Sequence, residues 1–468
     1  MSVTRRGVVK GGAAGAMSIA LAGSLDGIFQ TSAGADTGEA YGYGPLIPDP
    51  KGVLDLPKGF SYKTLSVEGD PISDGVVVPG HHDGTATFPA HGGRDHFPHW
   101  PDFSGAPDWP GWSATAKSAN GKRGATILVR NHEQSNNGTR AVAPPELTYD
   151  PAANGGTTNL LVDRDGDLVA QYVSLAGTST NCAGGRTPWG TWLTCEETEG
   201  FGAQTKTHGW VFEVDPYGRR TKPVPLTGLG RFSHEAVAVD PHTLTAYLTE
   251  DAAGPFGLFY RFRPRAHRGN YHAYLEGGRL EALNVRDVPD LSLVTEPGTR
   301  LHARWVAVPD PSAKQTSVRK QFDTITRSQK LEGLWWGHGK AYFVCSFSKK
   351  SDGAAADHAG QVWTYDPRSN EIELQLIFKP GGRFDGPDNI TVSPYGGGVI
   401  LAEDGDGEQY LVGTTRKNKP FAMARNALNG SEFTGVTFST DGRVLFANRQ
   451  SDPGVTFAIT GPWHRLRG

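Results

Sequence analysis

The stretch Ser233–Asp251, SHEAVAVDPHTLTAYLTED, decides the fold. His234 and Glu235 open an alternating apolar run from Ala236 to Val239, and Asp240-Pro241-His242 makes a turn. A second apolar run, Thr245 to Leu248, then ends in Glu250 and Asp251. Two short half-buried strands joined by a turn that Asp and Pro favour make an antiparallel hairpin. Pairing brings Glu235 near Glu250 and Asp251. Carboxylates that close raise one another's pKa unless a positive group lies between them, and a cation is the simplest such group.

The arrangement recurs. Apolar strands run into acidic residues at Ile127–Glu133 (ILVRNHE), Thr191–Glu197 (TWLTCEE), Ala246–Asp251 (AYLTED) and Val399–Asp404 (VILAED). Related turns stand beside them: DRDG at Asp163, DPYG at Asp215, DPHT at Asp240, DPRSN at Asp366, SPYGG at Ser393 and STDG at Ser439. Short strands separated by such turns over the whole chain indicate sheets repeated about an axis, a β-propeller. Equivalent strand ends then point at one central place. No long amphipathic helical pattern interrupts the strands, so the class is all-β with inserted loops and short helices.

With 37% hydrophobic residues, 62 Gly and 32 Pro among 468 residues, the chain is turn-rich and apolar enough for an ample core. Residues 36–468 read as a single propeller domain. A net charge of −3 and no basic stripe exclude a nucleic-acid partner. Thr4-Arg5-Arg6-Gly7-Val8-Val9-Lys10, the apolar run Ala13–Leu25 and Ala33-Gly34-Ala35 have the order of a twin-arginine export signal over residues 1–35. That run is too short to span a bilayer comfortably, and no later segment is long enough. The expected destination is secreted or periplasmic, reached through the twin-arginine machinery, and the expected state is a monomer. That machinery carries folded proteins, which suits a chain that acquires its cofactor in the cytoplasm.

Of the three cysteines, Cys195 and Cys345 lie in apolar strand-like runs and read as core residues. Cys182 sits in a Gly-flanked loop, Thr180–Gly185. Its spacing fits a disulfide to Cys195, or a bystander, slightly better than a thiolate ligand. Residues 36–60 read as an extended mature N-terminus. The stretch His81–Trp112, crowded with His, Pro, Trp, Asp and Gly, reads as a surface loop or lid; His81-His82-Asp83 and Asp95, His96 and His99 are weak metal candidates within it. Strands are expected from about Ala125, with Pro264–Lys330 as insertions between blades.

The acidic strand ends are the strongest chemical signal. Oxygen-rich groups select hard cations, and Ca²⁺ accepts several carboxylates in flexible geometry. Asp385-Gly386-Pro387-Asp388-Asn389 adds a rigid turn that presents Asp388 and Asn389 beside Glu403 and Asp404, repeating the arrangement of Glu235 with Glu250. Asp404-Gly405-Asp406-Gly407-Glu408 lacks the remaining ligands of an EF-hand. Gly-x-Ser-x-Gly, the P-loop pattern and His-Glu-x-x-His are absent, which leaves serine hydrolysis and P-loop chemistry unsupported.

Several motifs together resemble a known family. They are NHE at Asn131, NCAGG at Asn181 with LTCEE, SHEAVAVDP with YLTED, FYRF at Phe259, LEG at Leu331, FDGPDNI at Phe384 with ILAEDGDG, and FTGVTFSTDGRVLFANRQSDPGVTFAITGPW from Phe433. With the twin-arginine signal, this order resembles the PhoX family of alkaline phosphatases over roughly Ala125–Trp463. The resemblance implies a six-bladed propeller whose axial site holds a pair of Fe³⁺ ions and several Ca²⁺ ions. Carried over by position, Cys182 becomes a thiolate ligand to iron, with Glu235, Glu332 and Asp388 around the irons. Glu196, Glu197, Glu250, Asp251, Glu403 and Asp404 become calcium ligands or their support, and Glu432 a further carboxylate ligand. Asn131 would hydrogen-bond the substrate phosphate. One departure stands out: the family carries Arg-Pro-Glu-Trp where this chain has Lys330-Leu331-Glu332-Gly333. Lys330 would then grip phosphate as a point charge without the bidentate fork, and Arg383 is a further cationic candidate.

The function so implied is exported, metal-dependent hydrolysis of small-molecule phosphomonoesters by a metal-bound oxide or hydroxide. Two alternatives share the acidic strand ends. One is a calcium-dependent propeller hydrolase of lactones or phosphotriesters, which needs no Cys182; the other is a non-catalytic, calcium-stabilised binding module.

Overall fold

The computed structural model describes residues 41–73, 75–90, 125–135, 138–218, 222–396 and 398–468. The export segment and the stretch from residue 91 to Trp112, with Asp95, His96 and His99, lie outside them. The hairpin read first is present: His234–Val239 pairs antiparallel with Ala246–Glu250, joined by a turn in which Leu244 N donates to Asp240 O. Alternation does the packing. Val237 and Val239 enter a core with Leu193 and Cys195, while Ala236 and Ala238 enter another with Leu334 and Phe343. A strand buried on both faces has no polar side, hence the nearly unbroken apolar run.

Six such meanders follow one another. Their first strands are His82–Pro89, Asn181–Arg186, His234–Val239, Leu331–Gly337, Pro387–Val392 and Phe433–Phe438. These six pack side by side in a closed ring, the sixth against the first. Each leads outward into antiparallel neighbours, as from His82–Pro89 through Thr126–His132 and Gly155–Val162 to Leu168–Thr178. The architecture is an all-β propeller. Among the described residues the helical pieces are 3-10 turns of three or four residues.

Three expectations change. His82–Pro89 is the innermost strand of the first meander, not surface loop, and it pairs with Thr126–His132. Strands begin well before Ala125: Leu54–Pro57 joins the outer edge of the fifth sheet beside Pro420–Asn426, and Ser61–Val67 pairs with Val455–Thr460. The sixth meander is therefore completed from the other end of the chain, which closes the ring. Within Pro264–Lys330, finally, Gly278–Val285 and Arg300–Ala307 are outer strands, and the latter also pairs with Glu371–Phe378. It thereby fuses the third and fourth meanders into one sheet.

Candidate metal centre

Each of the six inner strands carries a bulge near its start. The ladder pairs His82↔His132, Asn181↔Glu196, His234↔Glu250, Leu331↔Cys345, Pro387↔Glu403 and Thr434↔Asn448 are each followed by two residues set against one. A bulge takes a residue out of the ladder and re-aims its side chain. The first residues of these bulges are Asp83, Cys182, Glu235, Glu332, Asp388 and Gly435. On the partner strands, the residues one beyond the pair are Glu133, Glu197, Asp251, Ser346, Asp404 and Arg449. Two stacked rings of equivalent positions result, rich in acids except in the sixth meander.

The side chains converge. Asp83, Glu133 and Cys182 form one group; Cys182, Glu197 and Glu235 a second; Glu197, Asp251 and Glu332 a third; Glu235, Glu332 and Asp388 a fourth. Within each, the potential ligand atoms all lie within 4.8 Å of one another. Shared members link the four groups into one focus. Asp83, Glu133, Cys182, Glu235, Glu332 and Asp388 are buried, while Glu197, Asp251, Asp404 and Glu432 are half-buried at its rim.

Burial and mutual repulsion dominate the electrostatics. Desolvation first, then the charges of Glu332, Asp388 and Asp83, hold the Glu235 carboxyl well above its ordinary range. Asp83 is raised by burial and by Glu133, Asp388 and Glu432, and Asp388 by burial, Glu332, Glu432 and Asp404. Burial pushes Glu332 up to about 8 against the opposing pull of Lys330. The Cys182 thiol is raised by burial and by Asp83, Glu235, Glu197 and Glu133. Such a set ionises together only around concentrated positive charge.

One cation of the chain itself sits there. Lys330 Nζ lies 2.5 Å from Asp251 Oδ2 and 2.5 Å from Glu332 Oε1. Burial would lower its pKa, but Asp251 and Glu332 outweigh that and raise it.

The three carboxylates that immediately precede rim acids stand apart from the groups. Glu196 accepts hydrogen bonds from the backbone N–H groups of Ser179, Gly209 and Trp210 and from His208 Nδ1. Glu250 is taken by the Tyr260 hydroxyl and Arg319, and Glu403 by the backbone N–H groups of Asp385 and Tyr410. All three sit at ladder pairs and face into the protein, so their expected ligand role gives way to anchoring. Asn131 is corrected likewise. Its amide donates to the carbonyls of Cys182 and Ala183 and accepts from Trp192 Nε1 and Thr194 Oγ1, which fixes the Cys182 bulge and leaves no donor for phosphate. Arg383 is exposed, 5.2 Å above each of the Phe384 and Tyr410 rings, where its charge acts on Glu403 and Glu408. Cys182 and Cys195 form no disulfide; all three cysteines are free. Asp83, a weak metal candidate in a stretch read as loop, and Glu133, marked by NHE as an acidic strand end, both belong to the focus.

A hard-cation site needs oxygens left over once the fold has made its own hydrogen bonds. Glu235 supplies them: both carboxylate oxygens are buried, and the Cys182 thiol apart, no described residue offers them a hydrogen bond. A thiol beside it in an otherwise all-oxygen set suits a transition metal accompanied by harder ions. The residues present therefore fit iron and calcium.

Comparison with known proteins agrees with this geometry. PhoX of Pseudomonas fluorescens, solved in complex with vanadate as a transition state analogue, is 17% identical with a TM-score of 0.64 over 90% of this chain and 98% of that one. A gluconolactonase from Xanthomonas campestris is 12% identical with a TM-score of 0.43, over 90% of this chain and 98% of its own. Among proteins of curated function, none matches the sequence. The family model described as alkaline phosphatase PhoX matches residues 41–454, nearly the whole described chain. With inner strands built around a shared acidic focus, the chain belongs to the PhoX family of alkaline phosphatases.

Proposed function

We propose that the protein is an exported, metal-dependent phosphatase that hydrolyses small phosphomonoesters at the hub of the propeller. The observation that carries this reading is the convergence of bulge residues on Glu235, whose two buried oxygens face no donor but the Cys182 thiol among the described residues, in a chain of this family. Cys182, Glu235, Glu332 and Asp388 would hold iron; Asp83, Glu133, Glu197 and Asp251 would hold calcium. Ions held there supply Lewis acidity toward phosphoryl oxygens.

The chain's own residues do the rest. Lys330, whose Nζ lies 2.5 Å from both Asp251 and Glu332, would offer a positive charge to a phosphate oxygen. A small ester and water would reach the focus past the half-buried Glu197, Asp251, Asp404 and Glu432. Its negative charge also repels free phosphate esters until cations are in place. Cys182, held as a metal ligand, would not be free to accept a phosphoryl group, and transfer to water needs no covalent phosphoenzyme.

The test is elemental analysis of the exported protein together with hydrolysis of p-nitrophenyl phosphate. Iron and calcium together, with turnover, are expected, and Cys182→Ser should lose iron. Metal-replete protein that hydrolyses no phosphomonoester overturns the reading. Calcium without iron would instead fit a binding module. Unchanged metals in Cys182→Ser, with lactone or phosphotriester turnover, would fit a calcium-dependent propeller hydrolase.

A further inference from the structure

A second cationic feature lies away from the metal centre. Under the bridging strand Arg300–Ala307, between the third and fourth meanders, is a cavity of about 700 Å³. The turns at Thr243–Thr245 and Pro367–Asn370 bound it, at the strand ends opposite to those carrying Glu235 and Glu332. Arg261, Arg263, Arg304, Trp305, Tyr365 and Asn370 are among the residues of its wall, and no Asp or Glu lines it among the described residues.

Of the three arginines of the wall, only Arg261 is paired with a carboxylate among the described residues. In the ladder Arg263 stands opposite Arg279, and Arg261 opposite Glu281. Like charges directly opposite each other destabilise a sheet. Glu281 serves two of them, with Arg261 Nε at 2.7 Å and Arg279 Nε at 3.2 Å. The guanidinium groups of Arg263 and Arg304 have no hydrogen-bond or ion-pair partner among the described residues. The carboxylates of the two bounding turns are already used: Asp240 binds His242 N and the Thr243 hydroxyl, and Asp366 binds Arg368.

Beneath these cations the floor is fixed. Asn370, at φ +55°, accepts from Trp305 Nε1 and the Tyr365 hydroxyl and donates to Ala303 O. Arg261 lies 4.6 Å above the Trp305 ring. Guanidinium forks match the paired oxygens of phosphate and sulfate groups, and a cavity of this size suits a ligand of sugar dimensions.

We propose that this cavity is a second, non-catalytic site that binds a sugar-sized polyanion, with its sulfate or phosphate groups seated between Arg263, Arg304 and Arg261. The site stands on these residues alone and does not depend on the reaction at the hub. Sucrose octasulfate is a suitable probe because it has no phosphomonoester for the metal centre to cleave.

Calorimetric titration of the metal-loaded full chain should give one site. The double variant Arg263→Glu/Arg304→Glu should bind about 100-fold more weakly, as expected for losing two charged hydrogen-bonding groups, with its p-nitrophenyl phosphate turnover unchanged. Arg263→Gln/Arg304→Gln removes the same forks should charge reversal impair folding. Absence of binding to the parent protein, or equal affinity in the variants, overturns the assignment.

Discussion

Glu196 and Glu197 are neighbours of the same kind that do opposite work. Successive side chains of a strand leave on opposite faces, so Glu196 is drawn into a cage of backbone N–H groups while Glu197 reaches the axial focus. The cage holds one titrating group: buried His208 lies between Glu196 Oε1 at 2.6 Å and Asp150 Oδ2 at 3.3 Å. Burial alone would lower its pKa, but hydrogen bonds to Glu196 and Asp150 and their charges outweigh that and raise it. A histidine raised in the folded state stabilises fully below its unfolded value of about 6.5, and that contribution fades as pH rises through the folded value. His208→Gln should therefore cost about 2 kcal/mol at pH 5.5, and distinctly less at pH 9. Urea unfolding of parent and variant at both values measures this; an equal cost at both pH values would contradict it.

At the scale of the strand, the bulge turns one residue of each inner strand toward the axial focus, and the bulge is what sequence patterns hide. Apolar alternation and Asp-Pro turns made the hairpins legible, because both reflect local chemistry. Cys182, Glu197, Glu235, Asp251, Glu332 and Asp388 were legible as site residues through motifs, and the structure brings them together. Asp83 stood out only as a weak metal candidate, because HDGTATFP reads as a loop and meets its partner strand only across a long intervening segment. Glu196, Glu250 and Glu403 were over-read, since sequence does not show where the last ladder pair falls. The one trace of a bulge is the small residue after the ligand, as in Gly84, Ala183, Ala236 and Gly333. At Gly333, where the family carries Trp, an added Cβ would run into the backbone of Asp388 and Asn389. In the sixth meander the bulge residue itself is Gly435, at φ +60°, and a Cβ there would press on Asn448, Thr85 and the Asp83 carbonyl. Gly435→Ala should cost about 1–3 kcal/mol and lower metal content by shifting Asp83. Gly407→Ala, at φ +87° in open space, isolates the backbone cost and should leave metal content intact. Thermal unfolding with elemental analysis separates the two, and full metal content in Gly435→Ala would show that the sixth bulge does not support Asp83.

For the whole molecule, the ring brings together at its hub the charges that would otherwise drive it open. Six inner strands close on one another, and a strand from the start of the chain, Ser61–Val67, completes the last sheet. Apolar cores between adjacent meanders oppose the repulsion, each buried Leu, Val or Phe side chain contributing roughly 1.5–3 kcal/mol. Ions at the hub would reverse its sign, turning mutual repulsion into a cross-link among strands distant in sequence. The two states should therefore respond oppositely to pH. In chelator-stripped protein, Asp83, Glu197, Glu235 and Asp388 are held above their ordinary values, and Glu332 is raised from 4.5 to about 8. These carboxyls then bind more protons folded than unfolded across that window, so their contribution to stability falls as pH rises from about 4.5 to about 8, opposed below about 6.5 by buried His82, His132, His234 and His358, which burial holds below their ordinary value. In loaded protein, protons compete with ions for the same oxygens, so stability rises with pH over the same window. Guanidinium unfolding of stripped and loaded samples at pH 6.5 and 8 should give slopes of opposite sign. Parallel slopes would mean that the acidic groups of the hub are not where the ions bind.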